Sequence, residues 1–600
     1  MRCKKYVGIA MAAVIAIEIC ACGADHSDGA SETGGGSGSL IIESLDGNLL
    51  DNTEDLSAEQ ESSNQDGVTE PQPVNGENTE PGLDTASSGE EGAKEVNLAY
   101  PVVLEGKPEE EGIHPETLSL ISDIIESDIE NGFTSAQLAV IRNGKLVYEN
   151  AWGRTNSYNP DGTPRTDSPE VTTETLYDLA SVTKIFTVNY ALQKLVTDEE
   201  VDLDDRITEF LGDEFASDTM QVETNSAGYK KDPATMTDLD TIRKWKGELT
   251  IRDLLMHQGG FPADPEYCAP RLYRNDLAPG EECPVNPLFA GNEFGEKTRQ
   301  ATIEMICKTP LDYKPGTKTV YSDVDYMILG LVVEKVTGED LDSYMKKTFY
   351  RPMGLNHITY NPLDNGFEPD DCAATELNGN TRDGLLDFDG YRTYTLQGQV
   401  HDEKAWYSMA GVSGHAGLFS NATDLAKLAS VMLSGGYGDN SFFSKDVIDI
   451  FTAPKSESES NWGLGWWRQG DGKRVKYFGT QASPETIGHQ GWTGTLVMID
   501  PKRHLVIAYL TNKKNSPVTD KAADSNKFNG DWYTASTLGF VPQILSIGMD
   551  SDEDISKELS DFTDVMVAAA VKLIPKGVSK DSDHPAARNL KSKQQIAEKW

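Results

Sequence analysis

Leu176-Tyr177-Asp178-Leu179-Ala180-Ser181-Val182-Thr183-Lys184 leads into an apolar run carried by Ile185, Phe186, Val188, Leu192 and Leu195. That spacing is helical, and it places the start of a helix at Ser181. On a helix, positions i and i+3 share a face, so the Lys184 amine lies beside the Ser181 hydroxyl. A lysine partly desolvated there can lose its proton near neutral pH and take one from the serine. A serine at a helix N-terminus also meets backbone N–H groups that stabilise developing negative charge. The tetrad alone is weak evidence, since a chain of this size and composition holds about two Ser-x-x-Lys by chance. Ser343-Tyr344-Met345-Lys346 is the second copy and reads as an exposed helix face.

Two distant stretches give the first copy its weight. Tyr321-Ser322-Asp323 follows Pro315-Gly316, and His489-Gln490-Gly491-Trp492-Thr493-Gly494 stands just ahead of a strand pattern. In this order the three elements resemble the serine penicillin-recognising enzymes, in the branch of class C β-lactamases and related D,D-peptidases and esterases. The motifs there are Ser-x-x-Lys, Tyr-x-Asn, and Lys-Thr-Gly or His-x-Gly. Leu254-Leu255-Met256-His257-Gln258-Gly259-Gly260, Gly411-Val412-Ser413-Gly414-His415-Ala416-Gly417-Leu418-Phe419 and Leu510-Thr511-Asn512-Lys513-Lys514 support the likeness. With them the chain is most similar to the penicillin-binding protein 4B group, over about residues 97–545.

The resemblance implies an α/β (α+β) fold of the β-lactamase/D,D-peptidase type. In it a central antiparallel sheet is flanked by helices and joined to a mostly helical subdomain. It implies Ser181 as nucleophile and Lys184 as its activator, sharing the proton with Tyr321. Asp323, His489 and Gly491 would line the substrate, and the backbone N–H groups of Ser181 and Trp492 would form the oxyanion hole. No cofactor and no metal are implied. Gly491 would leave room for a substrate backbone beside its strand. Two residues depart from the pattern. Asp323 replaces an amide donor with an acceptor-only carboxylate. His489 replaces a permanent cation, so it would hold a substrate carboxylate only when protonated, on the acidic side of ~6.5.

Three functions compete. The first is a penicillin-binding D-alanyl-D-alanine carboxypeptidase or endopeptidase acting on peptidoglycan stems. The second keeps the chemistry in a class C-like β-lactamase or carboxylesterase. The third is a non-catalytic wall-binding or sensor protein, against which intact Ser181, Lys184 and Tyr321 argue. His415 and His401-Asp402-Glu403 invite a metal or triad reading, but no HExxH is present, and loop roles are expected. His257 reads as loop packing.

Around the motifs, His114–Asn131 carries a helical stripe. Ala136–Arg142 and Lys145–Trp152 are extended runs joined by Asn143-Gly144, a hairpin signal. Gly494–Ile499 and Leu505–Leu510 are two further strands, so a sheet drawn from both ends of the chain encloses an inserted helical region. Ser420 or Asn421 can cap a helix over Thr423–Leu433. Ile555–Ile574 reads as a helix followed by a loose polar tail, which closes a 546–600 segment. The stretch between Ile207 and Gln300 is long for the fold and is expected to roof part of the cleft.

The first 96 residues are of another kind. Arg2, Lys4 and Lys5 precede the apolar run Tyr6–Ile17, too short for the ~20 residues of a membrane-spanning helix and suited to a signal peptide. Ile19-Cys20-Ala21-Cys22-Gly23 resembles the bacterial lipoprotein box, with Cys22 as the lipidated residue after a 1–22 leader. Between Gly23 and Glu95 there are 18 acidic residues against the single Lys94. This Gly/Ser-rich 23–96 segment cannot bury enough apolar area to fold and reads as a disordered spacer. These calls place the protein on the extracytoplasmic face of a bacterial membrane through a lipid anchor. A net charge of −44 argues against a nucleic-acid binder, and a mean hydropathy of −0.46 against a multi-span membrane protein. The seven cysteines show no CxxC spacing. Export permits disulfides, but Cys268, Cys283, Cys307 and Cys372 allow three pairings.

Overall fold

Eight residues of Ser135–Arg142 are buried without a break, and so are the seven of Leu505–Thr511. Strands of this kind belong at the centre of a sheet covered on both faces. The computed structural model describes residues 98–600 except 275–276, 278–280, 387–389 and 522. The leader, Cys22 and the acidic spacer lie outside the described residues. The main sheet comprises β1 (Leu104–Glu105), β2 (Ser135–Arg142), β3 (Lys145–Gly153), β4 (Trp467–Arg468), β5 (Ile487–Gly491), β6 (Thr495–Asp500) and β7 (Leu505–Thr511). Their order is β1-β3-β2-β7-β6-β5-β4. Every pairing is antiparallel except the short edge pair β1/β3, so the sheet is mixed only at that edge. Asn143 and Gly144 turn the β2–β3 hairpin with φ of 52° and 77°, the positive pair that a two-residue turn requires.

Alternation along the strands divides the interior into two cores. Leu138, Val140, Leu496, Met498, Ile507 and Tyr509 face α1 (Pro115–Glu130), whose Leu118, Ile121 and Ile125 are buried against them. Ala139, Ile141, Val497, Ile499, Val506, Ala508 and Leu510 face the helical region inserted between β3 and β4. That region contains α2 (Tyr190–Thr197), α3 (Asp323–Thr337) and α4 (Ala422–Ser434). Asn421 caps α4, its side chain accepting from the Asp424 N–H at 2.8 Å.

The C-terminus differs from its sequence reading. Helices α5 (Phe540–Gly548) and α6 (Ser556–Leu573) are followed by a third, α7 (Pro585–Lys599), rather than a loose tail. Its apolar stripe is thin, made of Ala586, Ala587, Leu590 and Ile596, all of them buried. Charge adds to that packing: Lys593 Nζ lies 2.9 Å from Asp128 Oδ1 on α1, both side chains fully buried. Ser592 donates to the same oxygen at 2.7 Å, and the Ala535 N–H donates to Asp128 Oδ2 at 2.8 Å. Removing one partner of such a pair strands a buried charge. Lys593→Met should therefore lower stability by about 3 kcal/mol, read as a shift of the urea midpoint. Asp128→Asn added to it should recover part of the loss.

Candidate active site

Ser181 is presented by a strained turn. The short strand Tyr177–Asp178 pairs with Leu418–Ser420, and Asp178 Oδ1 accepts from the Ala180 N–H at 2.9 Å. Ala180 has φ +46°, a left-handed conformation that costs a residue with a Cβ about 1 kcal/mol. The chain then coils through Ala180–Val182 and a π-helical stretch, Ile185–Asn189, into α2. One turn on from the serine, Lys184 donates from Nζ to Ser181 Oγ at 3.0 Å. Lys184 is 1% exposed and donates also to Asp323 Oδ1 at 2.8 Å and the His415 carbonyl at 3.1 Å.

Tyr321 and Asp323 arrive together at the start of α3. Tyr321 stands beside this pair, with the Lys184 ammonium 4.8 Å from the centre of its ring. Burial raises the Tyr321 phenol above its ordinary range, against the pull of Lys184. Behind it packs the imidazole of His257 at 4.5 Å between centroids, itself bonded to Asp325 at 3.0 Å. His257 is thus a packing residue, as its sequence context suggests, but what it packs is the phenol of the site.

The second copy of the tetrad has no such company. Ser343 is exposed on the helix Leu341–Met345, and Lys346 pairs with Asp342 at 2.7 Å.

Charge at Lys184 departs from expectation. Burial alone would push its ammonium down, but the Asp323 carboxylate, with the neighbouring Tyr321 hydroxyl, outweighs burial and raises it. In the resting site Lys184 is therefore a cation, and the neutral amine expected near pH 7 is not its ground state. The cause is the carboxylate standing where the family pattern has an amide. Burial would raise Asp323, yet the Lys184 and Lys404 ammoniums hold it well below the usual carboxylate range. Both its oxygens are engaged by lysines, at 2.8 and 3.3 Å, so it acts as a counter-ion more than as a free substrate contact.

The third motif forms the facing wall. Gly491 is buried, and a Cβ there would lie 2.3 Å from the Leu179 carbonyl and 2.3 Å from Thr495 Oγ1. The space it leaves is thus filled by the serine turn itself and not by a substrate backbone. Two side chains fasten this approach: Thr493 Oγ1 donates to the Asp178 carbonyl at 2.7 Å and Thr495 Oγ1 to the Leu179 carbonyl at 3.0 Å. They bring Trp492 next to Ser181, and among the described residues neither backbone N–H meets a protein acceptor. Both remain available to an oxyanion. Strand β4 pairs only with Ile487 and Gly488, which leaves the His489–Gly491 edge open beside the nucleophile. The Trp492 ring is clamped by His401 at 4.7 Å, the Arg382 guanidinium at 5.0 Å and Lys514 Nζ at 4.2 Å.

His489 is not the pH-sensitive cation that its position suggested. It is 2% exposed, stacked on Trp467 at 4.8 Å, with Nδ1 2.7 Å from the Gln490 carbonyl. Burial and the nearby Lys184 charge push the imidazole down to about 3.

The remaining histidines have structural partners. His401 Nε2 bonds Glu376 at 2.9 Å, and its N–H donates to Asp178 Oδ2 at 2.7 Å. His415 bonds Ser413 at 2.7 Å and Asp402 at 2.8 Å. Asp323, Asp402 and His415 place potential ligand atoms within 4.8 Å of one another. His415 and Asp402 are nonetheless bonded directly, and both Asp323 oxygens face ammoniums, so no gap is left for a cation between them. The 207–300 stretch does border the site: Ser322 Oγ donates to the Pro262 carbonyl at 2.8 Å, and Asp264 pairs with Lys404. Cys268, Cys283, Cys307 and Cys372 are free thiols. Lys404 and Arg382 are the functional neighbours that no motif pointed to.

A family model described as Beta-lactamase matches residues 120–530. A protein of Escherichia coli K12 named "Putative D-alanyl-D-alanine carboxypeptidase" is 45% identical over 74% of this chain and 93% of its own length. The chain belongs to the beta-lactamase family. A Salmonella schwarzengrund protein of the same name is 43% identical over 74% of this chain and 94% of its own. Among solved structures, a penicillin-binding protein homolog from Caulobacter crescentus shares 18% identity, covering 73% of this chain and 99% of its own, with a TM-score of 0.47. The protein is accordingly a serine hydrolase.

Because His489 protonates only near 3, it is neutral throughout the physiological range. The KM for a D-Ala-D-Ala peptide should thus show no His489-dependent fall between about pH 5.5 and 8, the interval around the ordinary imidazole value. Steady-state kinetics across that range check this, and a KM falling with acidity would show that the imidazole does titrate.

Proposed function

We propose that this serine hydrolase is a penicillin-binding D-alanyl-D-alanine carboxypeptidase or endopeptidase of peptidoglycan stems, held at the outer face of a bacterial membrane by lipid on Cys22. The observation that carries the chemistry is the Ser181–Lys184–Tyr321 cluster beside two free N–H groups. In the molecules whose Lys184 has first lost its proton to solvent, Ser181 Oγ attacks the penultimate D-alanine carbonyl while its proton passes to the Lys184 amine beside the Tyr321 phenol. The developing oxyanion takes the Ser181 and Trp492 N–H groups. The leaving amine takes the proton back through the Tyr321 phenol, and water, deprotonated by the same pair, releases the acyl group. The names borne by the enterobacterial relatives support this substrate class.

A second reading, esterase or β-lactamase, is favoured by one observation: neutral His489 supplies no charge for a terminal carboxylate. A mass spectrum separates the readings. Incubation with benzylpenicillin should add one acyl group to the peptide containing Ser181, and the Ser181→Ala variant should gain none while Ser343→Ala gains the full adduct. A D-Ala-D-Ala peptide should be trimmed by one residue. Adduct formation with no trimming would move the assignment to the second reading.

The anchor rests on the leader composition and the Cys22 box. Cys22→Ala should abolish palmitate labelling and move the protein to the soluble fraction, because loss of the diacyl group removes most membrane affinity. Labelling that persists in the variant would refute the anchor.

A further inference from the structure

Lys404 belongs to none of the three motifs, yet it holds the counter-ion of the catalytic lysine. Its side chain is 5% exposed, and its ammonium pairs with Asp264 and lies 3.3 Å from Asp323 Oδ2. The other Asp323 oxygen accepts from Lys184 at 2.8 Å. One carboxylate thus bridges two buried ammoniums. Without the second cation its whole charge would fall on Lys184, which would then hold its proton and fail as a base. An amide at this position, as in the family pattern, would impose no such charge.

We propose that Lys404 is a positioning residue of the acyl-transfer site, forming with Asp323 a neutral pair that replaces the amide and relieves Lys184 of part of the carboxylate's charge. The inference rests on the acyl-transfer reading of Ser181 and Lys184. The local structure is built for it. Asp402 Oδ1 accepts from the Ala405 N–H at 2.8 Å, fixing the turn that carries Lys404, and also bonds His415. The His415 carbonyl in turn accepts from Lys184 at 3.1 Å, so one hydrogen-bonded unit orients both lysines.

The charges around each lysine set the direction. Lys404 faces Asp264, Glu266, Asp323 and Asp402. Burial would push it down, but the carboxylates hold it well above its ordinary value, a fixed cation. Lys184 faces Asp323, Tyr321, Tyr326, His257 and His489. Burial keeps both histidines neutral and Tyr321 protonated. Asp323 is therefore the anion that governs Lys184, and Lys404 is the group that offsets it.

The test follows labelling of the full chain by a fluorescent fluorophosphonate as a function of pH. This probe reads the activated serine without needing a substrate carboxylate. Lys404→Met should move the acid limb of the rate upward by about one unit, a loss of about tenfold at pH 7. Asp323→Asn should move the limb downward, and Lys404→Arg should keep the wild-type limb. The Asp323→Asn/Lys404→Met double variant removes both partners together, so that loss of Lys404 can no longer act on Lys184 through Asp323. It should label faster at pH 7 than Lys404→Met, with an acid limb no higher than the wild type's. A limb unmoved in Lys404→Met overturns the inference alone. If Lys404→Met does not fold, a double variant whose acid limb lies above the wild type's overturns it equally. A wild-type chain that takes no label at Ser181 overturns the acyl-transfer reading and this inference with it.

Discussion

The carboxylate of Asp323 lies between the ammoniums of Lys184 and Lys404, and the state of the nucleophile depends on that arrangement. A buried charge is tolerated only when paired and hydrogen-bonded, and here four charges, Lys184, Asp323, Lys404 and Asp264, alternate in sequence. Lys184 is held at 3.0 Å from Ser181 by the same set of bonds that keeps it charged. Positioning and protonation are thus one interaction seen in two ways. On the proposed reading the base appears only when Lys184 gives up the proton that Asp323 helps it hold.

The second constraint is mechanical. A left-handed Ala180 aims Ser181 out of its turn, and the conformation survives because the surroundings over-determine it. Asp178 holds the turn from within, while Thr493 and Thr495 hold it from the opposite wall. The missing Cβ of Gly491 lets the two walls meet. The central sheet supplies rigidity, because β6 and β7 are buried on both faces and β5 is paired along its length with β6. A site carried on such a strand keeps its oxyanion donors in place without reorganisation during the reaction.

Charge also shapes what the site can recognise. His489 contributes a neutral ring stacked on Trp467 rather than a cation. The lysines nearest the nucleophile are already matched by Asp323 and Asp264. Neither lysine is thus left as an unmatched cation.

Much of this was legible before folding. Period-two and helical patterns, with the Asn143-Gly144 turn and the Asn421 cap, placed β2, β3, β6, β7, α1 and α4 to within a residue or two, because such preferences act between near neighbours in the chain. The order of Ser181–Lys184, Tyr321–Asp323 and His489–Gly491 likewise identified the family. Other features were decided by tertiary structure. Burial turned His489 into a neutral group, the Leu179 carbonyl explained Gly491, Lys404 became the partner of Asp323, and Lys593 on Asp128 ordered a polar C-terminal helix. Each depends on exclusion of water and on the meeting of charges far apart in sequence. A residue's own letter and its neighbours determine which element it joins; the charge it carries is settled only when the fold decides what stands beside it.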